Sequence, residues 1–245
     1  MMMGMRYAGI DGCRGGWVAV TIDGADRLDC NVYNNIHKVW ADAADARAVL
    51  VDMPIGLPWS QHPERQADLL ARRAIGPRRS SVFPCPVRNA VYADDYERAG
   101  MITREQVGKG LSKQAYMITP KIRELDGLLT GDEAARSVFY EAHPEVAFRF
   151  AAGRNLEWNK KDAFGFVERL RILERIHAGS EAFLKDAVRR FSKKTVALDD
   201  LVDALILALS ARASGGRLSS FPEGPPRDEK GLAMAIWYHD FNAAG

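Results

Sequence analysis

Tight turns separate three short apolar segments within the first 33 residues, and this spacing constrains the fold more than any other feature of the chain. The segments read as strands at residues 6–11 (RYAGID), 17–22 (WVAVTI) and 27–33 (RLDCNVY). Gly15 and Gly16 permit a tight turn after the first, and GAD at 24–26 is a turn signal after the second. Turns this short join antiparallel strands, because a parallel pair needs a much longer crossover. We therefore predict an antiparallel three-stranded meander.

The remainder of the chain alternates helices with further strands. Residues 36–47 read as a helix, and the apolar segment 48–57 reads as a buried strand that ends at Asp52. The later predicted elements are a strand over 137–144 ending at Glu141, mostly helix over 145–190, a helix over 198–213, and a late strand or short helix over 231–238. The helix over 198–213 has the clearest pattern, with apolar residues every three to four positions. This order predicts an α/β fold with a mixed sheet.

Length and composition suit one domain. The chain has 245 residues, of which 47% are hydrophobic, and this is enough to bury a substantial core. Residues 58–115 show no strand character and are rich in proline, glycine and arginine. We predict a single domain over residues 1–245 with a helical, arginine-rich insertion over residues 58–130.

Charge and cysteine content argue against several classes of protein. The formal net charge of +2 is too small by itself to imply a nucleic-acid partner. The three cysteines, Cys13, Cys30 and Cys85, are odd in number and lack C-x-x-C spacing, which argues against a disulfide scaffold or a zinc site. The sequence shows neither a signal peptide of the usual length nor an apolar run of about 18 residues. We expect a soluble protein of the reducing cytoplasm, without a membrane partner.

Acidic residues stand where the predicted strands end and where the last long helix begins. The strand-end acids are Asp11, Asp52 and Glu141, and the helix-start acids are Asp199, Asp200 and Asp203. If the strands are neighbours, their carboxylates meet at one edge of the sheet, and Asp200 and Asp203 share one helix face. Converging carboxylates cannot all stay ionised without a cation. We therefore predict Mg²⁺ or Mn²⁺ bound by oxygen ligands, with two ions as the arrangement that cleaves phosphodiesters.

Each acid taken alone has a simpler explanation. A strand-end aspartate such as Asp11 often only caps a turn, and Glu141 has the alternative role of a surface or capping residue. Aspartates at a helix start are stabilised by the positive helix N-terminus by about 0.3–1 kcal/mol each. The metal prediction therefore depends on the joint placement of the acids.

Six segments, in order, span nearly the whole chain. They are GIDGCRGGWV, VDMPIGLP, RRSSVFPCPVR, KQAYMITPKIRELD, YEAHPEVAFR and DDLVDALILAL. Together these segments resemble the predicted RNase H-like nucleases grouped as domain of unknown function 429. The resemblance implies an RNase H-like fold, which is a five-stranded mixed sheet in the order 3-2-1-4-5 flanked by helices. It also implies a nuclease that hydrolyses phosphodiester bonds with bound metal ions.

The resemblance further implies roles for individual residues. Asp11 matches the first-strand aspartate of RNase H-like nucleases, and Asp52 matches the acid that ends their fourth strand. Asp200 and Asp203 resemble the D-x-x-D-A-L helix of Holliday-junction resolvases. These four are the implied metal ligands, and Glu141, which belongs to the YEAHPE segment particular to the family, is an additional catalytic candidate. Many such nucleases carry glutamate where this chain has the shorter Asp52, which puts the metal distance in doubt.

Basic residues concentrate in the predicted insertion. Residues 60–91 contain six arginines, Arg65, Arg72, Arg73, Arg78, Arg79 and Arg88, opposed by only two acids. Paired cations beside hydroxyl groups suit a phosphate backbone. The residues that we predict to bind substrate are Arg14, Arg78, Arg79, Arg88, Lys113 and Lys121. Ordinary solvated arginines are the alternative, and we predict Lys160, Lys161, Lys193 and Lys194 to be plain surface charges.

These features favour a metal-dependent nuclease acting on nucleic acid, with DNA, RNA and small nucleotides all open as substrates. One alternative is an ATPase or phosphotransferase related to actin and the sugar kinases, because GIDGCRGG is similar to their first phosphate-binding hairpin. Those proteins need two such domains, so a chain of this length would have to act as a homodimer. Another alternative is a non-catalytic RNase H-like scaffold that binds nucleic acid. We do not expect Cys13 to be a nucleophile, because no histidine is evidently paired with it.

Overall fold

The structure is a computed structural model that describes residues 5–243. Its strands are β1 (Arg6–Cys13), β2 (Gly16–Ile22), β3 (Leu28–Tyr33), β4 (Ala46–Val51), β5 (Phe139–Glu141), β6 (Ser219–Phe221) and β7 (Ile236–Tyr238). Its helices are α1 (Ile36–Ala43), α2 (Gln66–Ala74), α3 (Arg88–Val91), α4 (Tyr96–Val107), α5 (Lys113–Met117), α6 (Thr119–Gly131), α7 (Glu133–Val138), α8 (Pro144–Ala152), α9 (Ala163–Ile176), α10 (Ser180–Arg190) and α11 (Leu198–Ser214). A 3-10 helix spans Gly76–Ser81.

The central sheet has five strands in the order β3-β2-β1-β4-β5. β1, β2 and β3 pair antiparallel, whereas β4 runs parallel to β1 and β5 runs parallel to β4. Gly16 begins β2 with a φ of 121°, a conformation that glycine adopts readily and other residues avoid. The predicted mixed sheet and its order are confirmed, and this order is consistent with an RNase H-like fold. The three parallel strands end at the same edge of the sheet.

Alternation along β1 directs Asp11 toward α11. Tyr7 packs in the core that α11 covers, and Ile10 packs in the core on the opposite face. Asp11 shares a face with Tyr7 and Gly9, because side chains alternate along a strand. A Cβ added at Gly9 would lie 2.1 Å from the backbone oxygen of Ala204, so the missing side chain lets α11 approach β1 closely. Asp11 therefore points at the helix that passes over its strand.

The same alternation separates Asp52 from Glu141. Leu50 lies in the α11 core and Val51 in the opposite one, so Asp52, which follows β4 directly, faces α11. The backbone N–H of Asp52 donates to the Ile10 oxygen at 2.9 Å, which continues the pairing beyond the strand. Glu141 pairs with Val51 in the ladder, so its side chain lies on the face away from α11.

Helix α11 is buried on nearly all sides. The sequence pattern predicts a leucine stripe on one face, yet every residue from 201 to 211 is buried. The reason is that α8, α9 and α10 pack against the outer side of α11 while β1, β2 and β4 contact its inner side. This sandwiched position fixes the first two turns of α11 over the strand ends.

The named elements between β4 and β5 are all helices, of which α2 to α6 begin within the predicted insertion over residues 58–130 and α7 follows it. One of them, α6, covers the second face of the sheet, since Ile122, Leu125 and Leu129 pack in a core with residues of β1 and β4. In the described residues 5–243, no helix combines the length and the apolar character needed to cross a membrane.

Several predicted boundaries are wrong. The helix expected over 36–47 ends at Ala43, because β4 already begins at Ala46. The strand predicted to end at Asp52 ends one residue earlier, at Val51, ahead of Pro54, which cannot donate to a ladder. The strand expected over 137–144 shrinks to Phe139–Glu141, because α7 precedes it and Pro144 starts α8. Of the segment 231–238, only Ile236–Tyr238 is a strand, and it pairs with β6 in a separate two-stranded sheet.

Candidate metal centre

Asp11 and Asp52 lie side by side where the parallel strands β1 and β4 end. Asp11 is only 9% exposed, and its Oδ1 accepts a hydrogen bond from the backbone N–H of Gly12 at 2.6 Å. Asp52 is half-buried on the same face of the sheet. The parallel register of the two strands therefore brings two carboxylates from separate parts of the sequence to one edge.

Asp203 adds a third carboxylate from the second turn of α11. Its side chain is buried, with 2% of the residue exposed. One oxygen from each of Asp11, Asp52 and Asp203 lies within 4.8 Å of the others. We call these three residues the acid cluster.

Lys160 is the cation closest to the acid cluster. It lies in the loop between α8 and α9, and its Nζ donates to Asp203 Oδ2 at 2.6 Å. The same Nζ lies 4.0 Å from Asp199 Oδ2. The prediction that Lys160 is a plain surface charge is wrong, because the loop folds back over the start of α11. One ammonium against three ionised carboxylates leaves a formal excess of two negative charges at the cluster.

Burial and mutual repulsion raise the pKa values of the acid cluster. Burial, followed by repulsion from Asp52 and Asp203, raises the pKa of Asp11 well above its usual range. Burial raises the pKa of Asp203 to about 6 even though Lys160 opposes the shift, and burial also raises the pKa of Asp52. Although burial disfavours the charge on Lys160, its ion pair with Asp203 holds the pKa of that ammonium above its usual value.

The donors of the acid cluster fit a hard divalent cation. Mg²⁺ binds oxygen at about 2.0–2.1 Å in octahedral geometry, so two ligands on opposite sides of the ion are about 4.2 Å apart. Three ligands cannot all lie opposite one another, and neighbouring ligands are about 3 Å apart, so the three oxygens, which lie at most 4.8 Å from one another, have to draw together by up to about 2 Å to bind one ion. The cluster consists of carboxylates alone, which suits Mg²⁺ or Mn²⁺ rather than zinc.

The other two predicted catalytic acids lie outside the acid cluster. Glu141 accepts hydrogen bonds from Arg65 Nη2 and from the backbone N–H of Ile55, both at 2.6 Å, on the opposite face of the sheet. Asp200 Oδ2 accepts from the backbone N–H of Ala197 at 3.0 Å and so caps α11. Of the four predicted metal ligands, Asp200 is therefore the one that the structure leaves out of the cluster, because it caps the helix, and strand alternation separates the additional catalytic candidate Glu141 from the other acids.

The acid cluster opens into a cavity of about 620 Å³. Its polar lining includes His143, Lys160, Lys161, Ser80 and Ser81, and its apolar lining includes Met53, Val82, Phe83, Met117 and Ile118. A second cavity, of about 590 Å³, shares Lys160, Lys161 and Asp203 with the first. The cluster is therefore accessible to a ligand although its carboxylates are largely buried.

The structure divides the six predicted substrate-binding residues into three groups. Arg78 and Lys121 line the cavity, whereas Arg14, Arg79 and Lys113 are exposed outside its lining. Arg88 is buried, and its Nη1 lies 2.5 Å from Asp126 Oδ2. The prediction that Arg88 contacts substrate is wrong, because ion pairs inside the protein use its guanidinium.

A family model described as "Protein of unknown function (DUF429)" matches residues 9–227, which include the acid cluster and Lys160. The chain belongs to the DUF429 family. Searches of curated proteins and of solved structures found no match to it. The family resemblance is thus confirmed, and the function of this DUF429 protein has to be argued from its site.

Sequence reasoning missed two polar residues of this DUF429 site besides Lys160. These residues are His143 and Glu145, and both line the cavity. His143 caps α8, because its Nδ1 accepts a hydrogen bond from the backbone N–H of Glu145 at 3.2 Å. The sequence does indicate where His143 and Glu145 lie, because Pro144 is typical of the first position of a helix and the strand before it ends at Glu141. These two residues are therefore expected at a helix start beside a strand end. No comparable signal exists for Lys160, whose position depends on how its loop packs.

Proposed function

We propose that this DUF429 protein is a metal-dependent nuclease that hydrolyses phosphodiester bonds of nucleic acid. The observation that supports it is the meeting of Asp11, Asp52 and Asp203 within 4.8 Å at a cavity. Burying like charges together is costly and favours binding of a cation. The three acids come from the ends of two parallel strands and from one helix, which is also the placement that the RNase H-like resemblance implies. The buried thiols of the chain agree with the reducing cytoplasm as its location.

The residues that line the cavity would have different roles in this reaction. When bound, Mg²⁺ or Mn²⁺ would supply Lewis-acid activation of water and would neutralise charge on the phosphate. The acid cluster would hold the cation, and Lys160 would release Asp203 and turn its ammonium toward the phosphate oxygens. His143 also lines the cavity, but its ring nitrogens are bonded to the Glu145 N–H and the Ser81 oxygen, so its role there is to position the start of α8 and the wall at Ser81.

A second candidate function is a non-catalytic scaffold, and one observation favours it. Lys160 already forms an ion pair with Asp203, so part of the negative charge is balanced by the chain itself. A scaffold of this kind would keep the ion pair permanently and would need no metal. The two candidates therefore differ in whether a divalent cation can displace Lys160.

Metal titration and cleavage assays on matched variants test the proposal. The wild-type chain should bind Mn²⁺ in a calorimetric titration and should cleave single-stranded or structured DNA or RNA. Asp203→Asn and Asp11→Asn keep the side-chain shape but each remove one charged ligand, so both should lose metal binding and cleavage together. Asp186→Asn changes an acid on α10 whose side chain is 78% exposed, and it should retain both properties.

Two results would contradict the nuclease proposal. If Mn²⁺ and Mg²⁺ fail to bind the wild-type chain at millimolar concentration, the scaffold is the better assignment. If Asp203→Asn cleaves as fast as wild type with metal present, the acid cluster is not the catalytic site.

A further inference from the structure

Two exposed apolar side chains stand at the cavity that the acid cluster opens into. Phe83 is 42% exposed and Met117 is 74% exposed, yet both line the same cavity as Asp11 and Asp203. Removing apolar surface from water is favourable. A ligand with a flat apolar part would therefore gain free energy by covering these two side chains.

The polar part of the same cavity suits a single phosphate group with a sugar attached. Lys160 and Lys161 both line it, and Lys161 is exposed at its edge. Ser80 is an exposed residue of the 3-10 helix Gly76–Ser81 that lines the cavity, so it supplies a hydroxyl group for contact with a sugar. Anion-binding, hydroxyl and apolar surfaces thus lie around one cavity.

The size of the cavity limits what can reach the acid cluster. A volume of about 620 Å³ falls within the range of about 300–1,000 Å³ that is usual for small-molecule sites. Its walls around the strand ends are formed by three segments, with lining residues Arg78, 80–83, Met117, Ile118, Lys121 and 159–161. A cavity of this volume suits a single nucleotide.

Four of the six arginines at residues 60–91 bind groups of the protein itself, whereas Arg73 and Arg79 are exposed. Arg65 pairs with Glu141, Arg72 donates to the Val82 oxygen at 2.5 Å, and Arg78 donates to the Glu157 oxygen. Arg88 and Arg123 are likewise engaged, with Asp126 and with the backbone oxygens of Val91 and Ala93. Tight duplex binding depends on many free cations that contact phosphates. Because few arginines remain for phosphate contacts, the site favours a substrate that contacts the protein through one or two phosphates.

We propose that the site accepts one unpaired nucleotide unit, with its phosphate at the acid cluster and its base against Phe83 and Met117. The position of the phosphate rests on the proposed function, whereas the position of the base rests on the apolar wall alone. Free nucleotides and the unpaired nucleotides of a single strand share this chemistry.

Calorimetric titration with adenosine 5′-monophosphate and with ribose 5-phosphate, each with Mg²⁺, tests the role of the base. The two compounds carry the same phosphate, so any difference in affinity reports on the base. We expect the nucleotide to bind about tenfold tighter or more, because its base stacks on an aromatic side chain and ribose 5-phosphate has no base to do so. Phe83→Ala and Met117→Ala should each reduce this preference, and Phe83→Trp should retain it.

Met101→Ala is the matched control, since Met101 is 58% exposed on α4 and lies outside the cavity lining. It should leave the preference for the nucleotide unchanged. Thermal unfolding checks the fold of each variant, and exposed positions such as Phe83 and Met117 should shift the midpoint little.

A single-stranded hexanucleotide and its duplex identify the source of the nucleotide. Tighter binding of the mononucleotide indicates a free nucleotide, and tighter binding of the single strand indicates an unpaired strand segment; either upholds the proposal. It is overturned if ribose 5-phosphate binds as tightly as the nucleotide, if the duplex binds as tightly as the single strand, or if neither the nucleotide nor the single strand binds. If the protein binds Mn²⁺ and cleaves duplex, the inference about an unpaired nucleotide fails but the proposed nuclease function stands. If the protein does not bind Mn²⁺, the proposed function itself fails.

Discussion

At the scale of single residues, Lys160 controls the charge balance of the acid cluster. Its ammonium lies 2.6 Å from Asp203, where a cation bound to that carboxylate would also have to lie. The raised pKa of Lys160 keeps it protonated at neutral pH, so it competes with a metal ion throughout the physiological range. Metal affinity should therefore depend on a residue that contributes no ligand atom.

Replacing Lys160 should strengthen metal binding. Lys160→Met removes the competing charge and keeps much of the side-chain volume, so we expect Mn²⁺ to bind about tenfold tighter or more at pH 8, given the strength of charge interactions at about 4 Å. Lys161→Met is the control, because Lys161 lines the same cavity and is exposed. Calorimetric titration of both variants measures the difference, and equal affinities would show that Lys160 does not compete with the ion.

Metal affinity should also fall steeply as the pH is lowered. The pKa of Asp203 is raised to about 6, chiefly by burial, and that of Asp11 is raised well above its usual range. Protons therefore compete with the ion for these carboxylates, and Mn²⁺ affinity should drop by about tenfold per pH unit for each proton displaced. Titrations between pH 5 and 8 should show the steepest loss below about pH 6. A flat profile would indicate that the cation does not bind these carboxylates.

At the scale of secondary-structure elements, strand alternation determines which acids can meet. The sequence places Asp11 and Asp52 at the ends of apolar runs, whereas the adjacency of their strands is implied by the family resemblance and is confirmed by the order of the sheet. It could not assign Glu141 to the opposite face, because that follows from the pairing of Glu141 with Val51 in the ladder. The position of Asp203 near the strand ends could be predicted from the helical pattern. The position of Lys160 could not, because it lies in a loop that only tertiary packing places.

The contact between β1 and α11 should be the most sensitive point of this arrangement. Gly9→Ala would place a methyl group 2.1 Å from the Ala204 oxygen and 2.2 Å from the Ala208 nitrogen, so the helix or the strand must move. We expect a loss of roughly 3 kcal/mol in the free energy of unfolding, at the upper end for overpacking. Because any shift moves Asp203 relative to Asp11, Mn²⁺ affinity should fall as well.

Gly127→Ala provides the control for that substitution. Gly127 lies within α6, and a Cβ added there meets no atom within 4 Å. The same chemical change should therefore stabilise the protein by about 0.5–1 kcal/mol, through better helix propensity. Urea unfolding measures both changes, and a Gly9→Ala chain as stable as wild type would mean that α11 does not approach β1 as described.

At the scale of the whole molecule, Arg88 connects segments that are far apart in the sequence. It begins α3 and forms ion pairs with Asp126 of α6 and with Asp228 of the C-terminal segment. Asp228 in turn accepts from the backbone N–H of Leu57, just after β4, at 2.9 Å. The sequence shows an arginine-rich region, but it does not show that these arginines organise the protein, because their partners lie up to 140 residues away.

Loss of Arg88 should consequently affect stability rather than substrate contact. Arg88→Met keeps an apolar stem but leaves Asp126 and Asp228 buried without their cation, and breaking a buried pair in this way costs about 3–5 kcal/mol. Arg79→Met, at an exposed arginine of the same region, should change the free energy of unfolding by less than about 0.5 kcal/mol. Urea unfolding of the two variants separates these outcomes. If Arg88→Met folds as stably as wild type but loses binding of single-stranded nucleic acid, Arg88 belongs to the substrate site after all, and the small footprint inferred for the cavity would have to be enlarged.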